Sequence, residues 1–233
     1  MSENESIQGA RRYLKSRDRA WAQSLANGVK AAGFQPNTIS VLSVVFSIVG
    51  AICLIKAGEW SASTSGKIAN SLIWLGAAAC IQLRLICNLL DGMIAIEGGK
   101  KSPLGGLYNE VPDRIADPLL LMAAGYCNEW VVKLWGIPLG WVAAVLSMMT
   151  AYIRVLGGTL TGTQSFIGPM AKQHRMAVLT VACLGSIVEV WVRHDGRPAQ
   201  NVMLAALIVI VTGSVLTCWR RLTLIAQVLN KKA

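Results

Sequence analysis

Apolar residues in this chain run in long stretches, broken by short polar connections. Six stretches stand out, at about 38–56, 70–96, 104–127, 137–160, 176–192 and 201–219. Each is near the ~20 residues an α-helix needs to cross ~30 Å of hydrocarbon. The second is longer and is expected to protrude. Residues 1–36 are polar and basic instead. There Ile7, Leu14, Trp21, Leu25 and Val29 recur at helical spacing, and Arg11, Arg12, Lys15, Arg17 and Arg19 cluster between the first of them. That pattern predicts an amphipathic helix on an anionic membrane surface; a solvated basic tail is the plainer alternative. Gly33 and Pro36 close the segment. It lacks the short apolar core and small-residue cleavage site of a signal peptide. The expected fold is all-α and polytopic: a juxtamembrane segment over 1–36, then a six-helix transmembrane domain over 37–233.

Composition agrees with that reading. Of 233 residues 54% are hydrophobic and 15% charged, with a mean hydropathy of +0.50. Soluble domains carry about 25% charged residues, and disorder needs low hydrophobicity with high net charge. The net charge of +10 fits the cytoplasmic excess of Lys and Arg in membrane proteins better than a nucleic-acid partner. An even number of spans puts both termini on one side. Arg220, Arg221, Lys231 and Lys232 near the C-terminus, the basic N-terminal segment, and Lys100, Lys101, Lys172 and Arg175 in two loops make that side cytoplasmic. Trp60, Trp130, Trp135, Trp141 and Trp191 fall near the other face, as an aromatic belt does. The six cysteines sit in or beside apolar runs with no CxxC pair, and read as small buried side chains. No internal repeat is visible, which weakens a transporter built from two related halves.

Ionisable residues inside spans are costly, about 2.5–3.5 kcal/mol each on insertion scales. Here they concentrate at the end of the second span and the start of the third. Asn88, Asp91 or Gly92, and Ala95 lie three or four apart, on one helix face. Gly105, Asn109, Asp113 and Asp117 lie four apart on the next. A short loop joins the two helices, so they are expected to be antiparallel neighbours with these faces in contact. Oxygen ligands converging on one point suit Mg²⁺, Mn²⁺ or Ca²⁺. Glycine at Gly92 and Gly105 allows a bulky ligand close to the backbone. Two plainer readings compete: Asp91 paired with Arg84, and Asp113 or Asp117 with Arg114, as helix glue; or polar faces lining a proton or ion path.

The same residues resemble the signature of the CDP-alcohol phosphotransferase family, D-x2-D-G-x2-A-R-x8-G-x3-D-x3-D. The chain reads Asn88-x2-Asp91-Gly92-x2-Ala95-Ile96-x8-Gly105-x3-Asn109-x3-Asp113, with every spacing kept. Pro36-Asn37-Thr38, where the first span begins, is similar to that family's Pro-Asn-Thr, and six spans after an amphipathic helix match its architecture. The resemblance implies a phosphatidyl transfer from a CDP-linked lipid, commonly CDP-diacylglycerol, to a small alcohol or polyol phosphate, with release of CMP. It implies metal ligands at Asn88, Asp91, Asn109 and Asp113. It implies a base at Asp113, with Asp117 as the second choice. Substrate contacts are implied at Asn37, Thr38, Gly92, Ala95 and Gly105. In relatives whose acceptor is a phosphate ester, basic residues in regions similar to Arg154, Lys172 and Arg175 hold that phosphate; positive-inside anchoring is the alternative for the last two. A homodimer among membrane lipids is also implied.

The chain departs from the pattern at Asn88, Asn109 and Ile96. A register that uses Asp113 and Asp117 as the last two aspartates breaks the x8 spacing, so the first register is preferred. Asp117 is then one turn deeper, a partner for Arg84 or Arg114. An asparagine keeps a ligating carbonyl oxygen and loses the charge, so the ligand set carries −2 in place of −4. One tightly held Mg²⁺ or Mn²⁺ is expected, with a second joining only with substrate. A catalytically silent relative that binds a CDP-lipid or a partner, and a transporter or proton-conducting bundle, are the alternative functions. His174 and His194 read as surface residues.

Overall fold

The computed structural model describes residues 20–59, 64–97, 105–127, 133–192 and 201–231. The cluster from Arg11 to Arg19, with Ile7 and Leu14, lies outside them. So do Trp60, Trp130, Lys100, Lys101 and His194. The described residues are all-helical: α1 (Ala20–Ala31), α2 (Pro36–Glu59), α3 (Thr64–Glu97), α4 (Gly105–Tyr126), α5 (Lys133–Thr161), α6 (Lys172–Val192) and α7 (Asn201–Asn230). Five of these, α2, α3, α5, α6 and α7, are long and apolar enough to cross a membrane. The remaining long helix, α4, carries Glu110, Asp113, Arg114 and Asp117 within 22 residues. Its length suffices, and its charges lower its hydropathy.

The 34 residues of α3 rise to about 50 Å at 1.5 Å each, more than the hydrocarbon thickness, so its end stands clear of the bilayer core. Helix α7 continues well past residue 219, where the apolar run ends. The reason is a buried stripe at helical spacing, Ser214, Thr217, Arg221 and Ile225. Arg221 is compatible with that stripe because its Nε donates to Ile167 O at 2.9 Å and its Nη1 to Thr150 O.

The long helices close into a ring. Helix α2 packs on α3 and α4, α4 on α5, α5 on α7, α7 on α6, and α6 returns to α3. This corrects one expectation. Helices α3 and α4, consecutive in the chain, touch only marginally. Helix α2 packs on both, and they meet through side chains. The core between the helices holds Leu54, Trp74, Ile81, Leu120, Leu121, Met176, Leu179, Leu207 and Ile210. Small residues bring backbones together: a Cβ on Gly125 would lie 2.6 Å from Gly136 O, and one on Gly58 would lie 2.2 Å from Cys127 O. Leu72, Val181, Val188, Val145 and Trp219 are among the large apolar side chains left exposed on the outside. All six cysteines are free; Cys80, Cys87, Cys127 and Cys183 are buried as expected, and Cys53 and Cys218 are only half-buried.

Helix α1 has two faces. Ala22 and Ala26 are buried against Cys87, Leu90, Met93 and Ile94 at the end of α3. Of the five residues of the expected membrane-facing stripe, Trp21 and Leu25 are exposed, together with Phe34, while Val29 packs against the inner cluster. The small face seats the helix beside the polar end of α3, and the large face stays open.

Candidate active site

On α3, Arg84, Asn88 and Asp91 fall at i, i+4 and i+7, one face of the helix. Arg84 is fully buried. Ser40, one turn into α2, donates its hydroxyl to Asp91 Oδ2 at 2.5 Å. The other oxygen, Asp91 Oδ1, is buried without a hydrogen-bond partner. Asn88 Nδ2 donates to Asp113 Oδ1 at 2.6 Å, and Asn88 Oδ1 is likewise buried and unpartnered.

From α4, Asp113 and Asp117 project one turn apart into a set of cations. Arg84 Nη2 donates to Asp113 Oδ1 at 3.1 Å and forms an ion pair with Asp117 Oδ1. The Lys172 ammonium, on the first residue of α6, pairs with Asp113 Oδ2. One turn on, Arg175 Nη2 donates to Asp117 Oδ2 at 3.2 Å, while its Nη1 donates to Thr150 Oγ1 at 3.1 Å and Met170 O at 3.0 Å. The loop before α6 is shaped for this. Gly168 has φ 120°, and a Cβ there would lie 2.5 Å from the Thr217 side chain, so only glycine fits. The tight turn lets Met170 N donate to Thr217 Oγ1 at 3.0 Å, which holds the Met170 carbonyl for Arg175.

Glu110 lies one turn before Asp113 on the same side of α4 and reaches α5. It pairs with Arg114 one turn on, the favourable acid-before-base order. It also accepts from Arg154 Nη2 of α5, at 2.8 Å on Oε1 and 3.0 Å on Oε2. The Arg154 guanidinium carbon lies 5.5 Å from the Phe166 ring centroid, a cation–π contact.

The residues singled out from sequence thus divide. Asn88, Asp91 and Asp113 come together around one point, as their spacing implies. Asp91 is not paired with Arg84; that arginine serves Asp113 and Asp117. Asp117 is the partner of Arg84 and Arg175, and Arg114 that of Glu110. Asn37 and Thr38 form the first turn of α2, one turn before Ser40. Gly92 is buried on α3, and Gly105 opens α4 with free space where its Cβ would be. The side chains of Ala95 and Asn109 lie outside the described residues. Sequence reasoning missed Ser40 and the Glu110–Arg154 pair.

A divalent cation fits part of this set. Asn88 Oδ1 and Asp91 Oδ1 are acceptor oxygens without donors, on one face and three residues apart, and a hard cation is the partner such oxygens lack. Among the described residues no three His, Cys, Asp or Glu side chains form a metal-binding group by themselves, so an asparagine oxygen has to contribute. Both oxygens of Asp113 already meet cationic side chains.

No protein-family profile matches the chain. It is 25% identical over 142 residues to the inner membrane protein YnbA of Escherichia coli, 61% of this chain and 63% of that protein. It is 26% identical over 129 residues to a phosphatidylinositol phosphate synthase of Mycobacteroides abscessus, 55% of this chain and 51% of that one. The matched stretch therefore spans between half and two thirds of those relatives' own length. In fold it is similar to phosphatidylinositol phosphate synthase (PgsA1) of Mycobacterium tuberculosis. With CDP-DAG bound, that structure has a TM-score of 0.67 at 18% identity, over 88% of this chain and 92% of the other. In complex with manganese and citrate it gives 0.68, over 88% of each chain. At that identity the likeness is one of fold. Its apolar helices, with a relative named as an inner membrane protein, mark the chain as integral to a membrane. In sequence the chain is thus similar to one phosphatidylinositol phosphate synthase and in fold to another, enzymes of the CDP-alcohol phosphotransferase family whose signature its central motif resembles.

Proposed function

We propose that the chain is a metal-dependent CDP-alcohol phosphotransferase. It transfers a phosphatidyl group from a CDP-linked lipid such as CDP-diacylglycerol to an alcohol, with release of CMP, in phospholipid synthesis. The observation that carries this reading is the pair of donor-less oxygens, Asn88 Oδ1 and Asp91 Oδ1, at two motif positions and beside Asp113. The CDP-DAG and manganese found in the Mycobacterium tuberculosis relative support the donor and the need for a divalent ion.

Asn88, Asp91, Asn109 and Asp113 would hold Mg²⁺ or Mn²⁺, which when bound supplies charge to neutralise a pyrophosphate and stabilise the departing phosphate of CMP. The chain's own residues do the rest. Ser40 fixes the Asp91 carboxylate through Oδ2 and leaves Oδ1 for the ligand side. Asn37, Thr38, Gly92, Ala95 and Gly105 bound the donor's position, with the glycines admitting it close to the backbone. Asp113 takes the acceptor's hydroxyl proton as the new O–P bond forms and the bond to CMP breaks. Lys172 must yield Asp113 Oδ2 for that step. Arg84 and Arg175 hold Asp113 and Asp117 in place, so Asp117 acts as an anchor. Most of the acceleration then comes from position and charge. The termini and the site face the cytoplasm, on the side of the Lys and Arg excess. Helix α1 lies at that surface, and the bundle that follows it works as a homodimer.

A silent relative that binds a CDP-lipid without turnover is the second reading, favoured by the cations on both oxygens of Asp113. One experiment separates the two. Purified protein receives CDP-diacylglycerol, Mg²⁺ or Mn²⁺ and a panel of alcohols; CMP is measured and the lipid product weighed by mass spectrometry. A new lipid with stoichiometric CMP supports the transferase. Binding of CDP-diacylglycerol without CMP release supports the silent relative.

A further inference from the structure

Five cationic side chains, Arg84, Arg114, Arg154, Lys172 and Arg175, gather around α4, and each carries a carboxylate of that helix. A pair of guanidinium groups with fixed donors is a seat for an oxyanion. The seat formed by Arg154 and Arg114 is filled by the chain itself. Glu110 accepts from Arg154 through both oxygens, at 2.8 and 3.0 Å, and from Arg114 on its own helix. Phe166 covers the Arg154 guanidinium at 5.5 Å. The narrow cleft that Arg154 lines between α5 and α7 offers hydroxyls of Thr163 and Ser165. Its other guanidinium, Arg221, donates to the carbonyls of Ile167 and Thr150.

We propose that Glu110 is a specificity-determining residue: by occupying the Arg154–Arg114 seat, it reserves the acceptor side for an uncharged or amino alcohol and excludes phosphate esters. The inference rests on the transferase reading above and narrows its substrate class. A phosphate monoester that reaches Arg154 meets the Glu110 carboxylate where it needs open donors. It must displace that carboxylate, whose side chain is 43% exposed, and leave it beside a second anion. An uncharged polyol asks for hydroxyl partners only, and an ammonium group meets Glu110 favourably. Nothing in the repeat of the motif requires an acid at position 110; the acid follows the motif residue Asn109 and is turned by about 100° around the helix toward α5.

The test uses the full chain in detergent with CDP-diacylglycerol and Mn²⁺. Glycerol, inositol and ethanolamine are compared with glycerol 3-phosphate and inositol 1-phosphate. The wild type should favour its best uncharged or amino alcohol over the phosphate esters by tenfold or more in kcat/KM. Glu110→Gln frees Arg154 and should shift that ratio toward the phosphate ester by about 10- to 100-fold, the worth of a charge-assisted hydrogen bond. Glu110→Asp, which keeps the charge, should retain the wild-type preference, and Glu110→Gln with Arg154→Met should lose the shift. A wild type that prefers a phosphate ester, or a Glu110→Gln ratio unchanged within twofold, overturns the proposal. A second readout needs no turnover: inorganic phosphate should raise the thermal midpoint of Glu110→Gln and not that of the wild type. Equal stabilisation of both proteins overturns the proposal by itself. If no acceptor gives CMP, the transferase reading fails, and the phosphate arm still decides whether Glu110 fills the seat.

Discussion

Replacing Arg84 by methionine removes the guanidinium that, among the described residues, joins Asp113 to Asp117. Breaking a buried ion pair from one side costs about 3–5 kcal/mol. Two features of the site lower that figure. Asp113 keeps Lys172 and Asp117 keeps Arg175, so neither carboxylate is left alone. Arg84 Nε and Nη1 are buried without partners, and methionine relieves them of a cost of about 1 kcal/mol or more. The net loss should be about 2–3 kcal/mol. For a chain of this length that corresponds to a fall in Tm of about 4–12 °C. Thermal unfolding in detergent, followed by tryptophan fluorescence, measures it, with metal absent so that ligand binding does not contribute. Arg84→Lys should lie between the two, because an ammonium reaches one carboxylate at a time and lacks the fork that spans both. A Tm for Arg84→Met within about 2 °C of the wild type would refute the bridging role. So would an Arg84→Lys variant as unstable as Arg84→Met.

Asp91→Ala should abolish CMP release while the protein stays folded, because Ser40 loses a partner and the ligand side loses its unshared carboxylate; CMP assays with size-exclusion profiles check both halves. Calorimetric titration of substrate-free protein should find one tight Mn²⁺, and Asn88→Asp should tighten it by about tenfold through the added charge; two tight ions in the wild type would contradict the reading of the site. Gly125→Ala should destabilise the α4–α5 contact by about 1–3 kcal/mol, since its Cβ falls 2.6 Å from Gly136 O, and the thermal midpoint reports it. In a cysteine-free background, Val192→Cys should react with an impermeant maleimide added outside and Lys231→Cys should not.

The spacing foretold that Asn88 and Asp91 share one face of α3 and placed Asp113 on a polar face of α4, because helical period fixes faces; the short loop did not make the two helices neighbours, and they meet only through side chains. The partners came from farther away and were not legible. Ser40 precedes Asp91 by 51 residues, and only the rotation of α2 in the bundle brings it there. Arg84 shares the face of Asn88 and Asp91 at i and i+4, so its presence could be read, but its choice of Asp113 and Asp117 depends on α4 across the ring. Lys172 and Arg175, read as contacts for an acceptor phosphate or as loop anchors, stand in the first turn of α6, where their charges meet Asp113 and Asp117. The same holds for α7, where a buried Arg221 with two carbonyl partners extends a helix that hydropathy would end.

The charged face of α4 also constrains how the protein is made. Each of its acidic side chains costs about 2.5–3.5 kcal/mol near the middle of a helix entering the bilayer alone. Arg84 is synthesised first, so α3 can supply a counter-charge as α4 leaves the ribosome. Lys172 and Arg175 emerge only after α5 has been completed. Until then Asp113 and Asp117 share one guanidinium, and Arg154 with Glu110 is the next pair to form. As a sixth span, α4 would be stabilised late, settling when α6 arrives, and substitutions at Lys172 or Arg175 should then be felt as failed insertion of a helix that lies some 50–60 residues earlier in the chain.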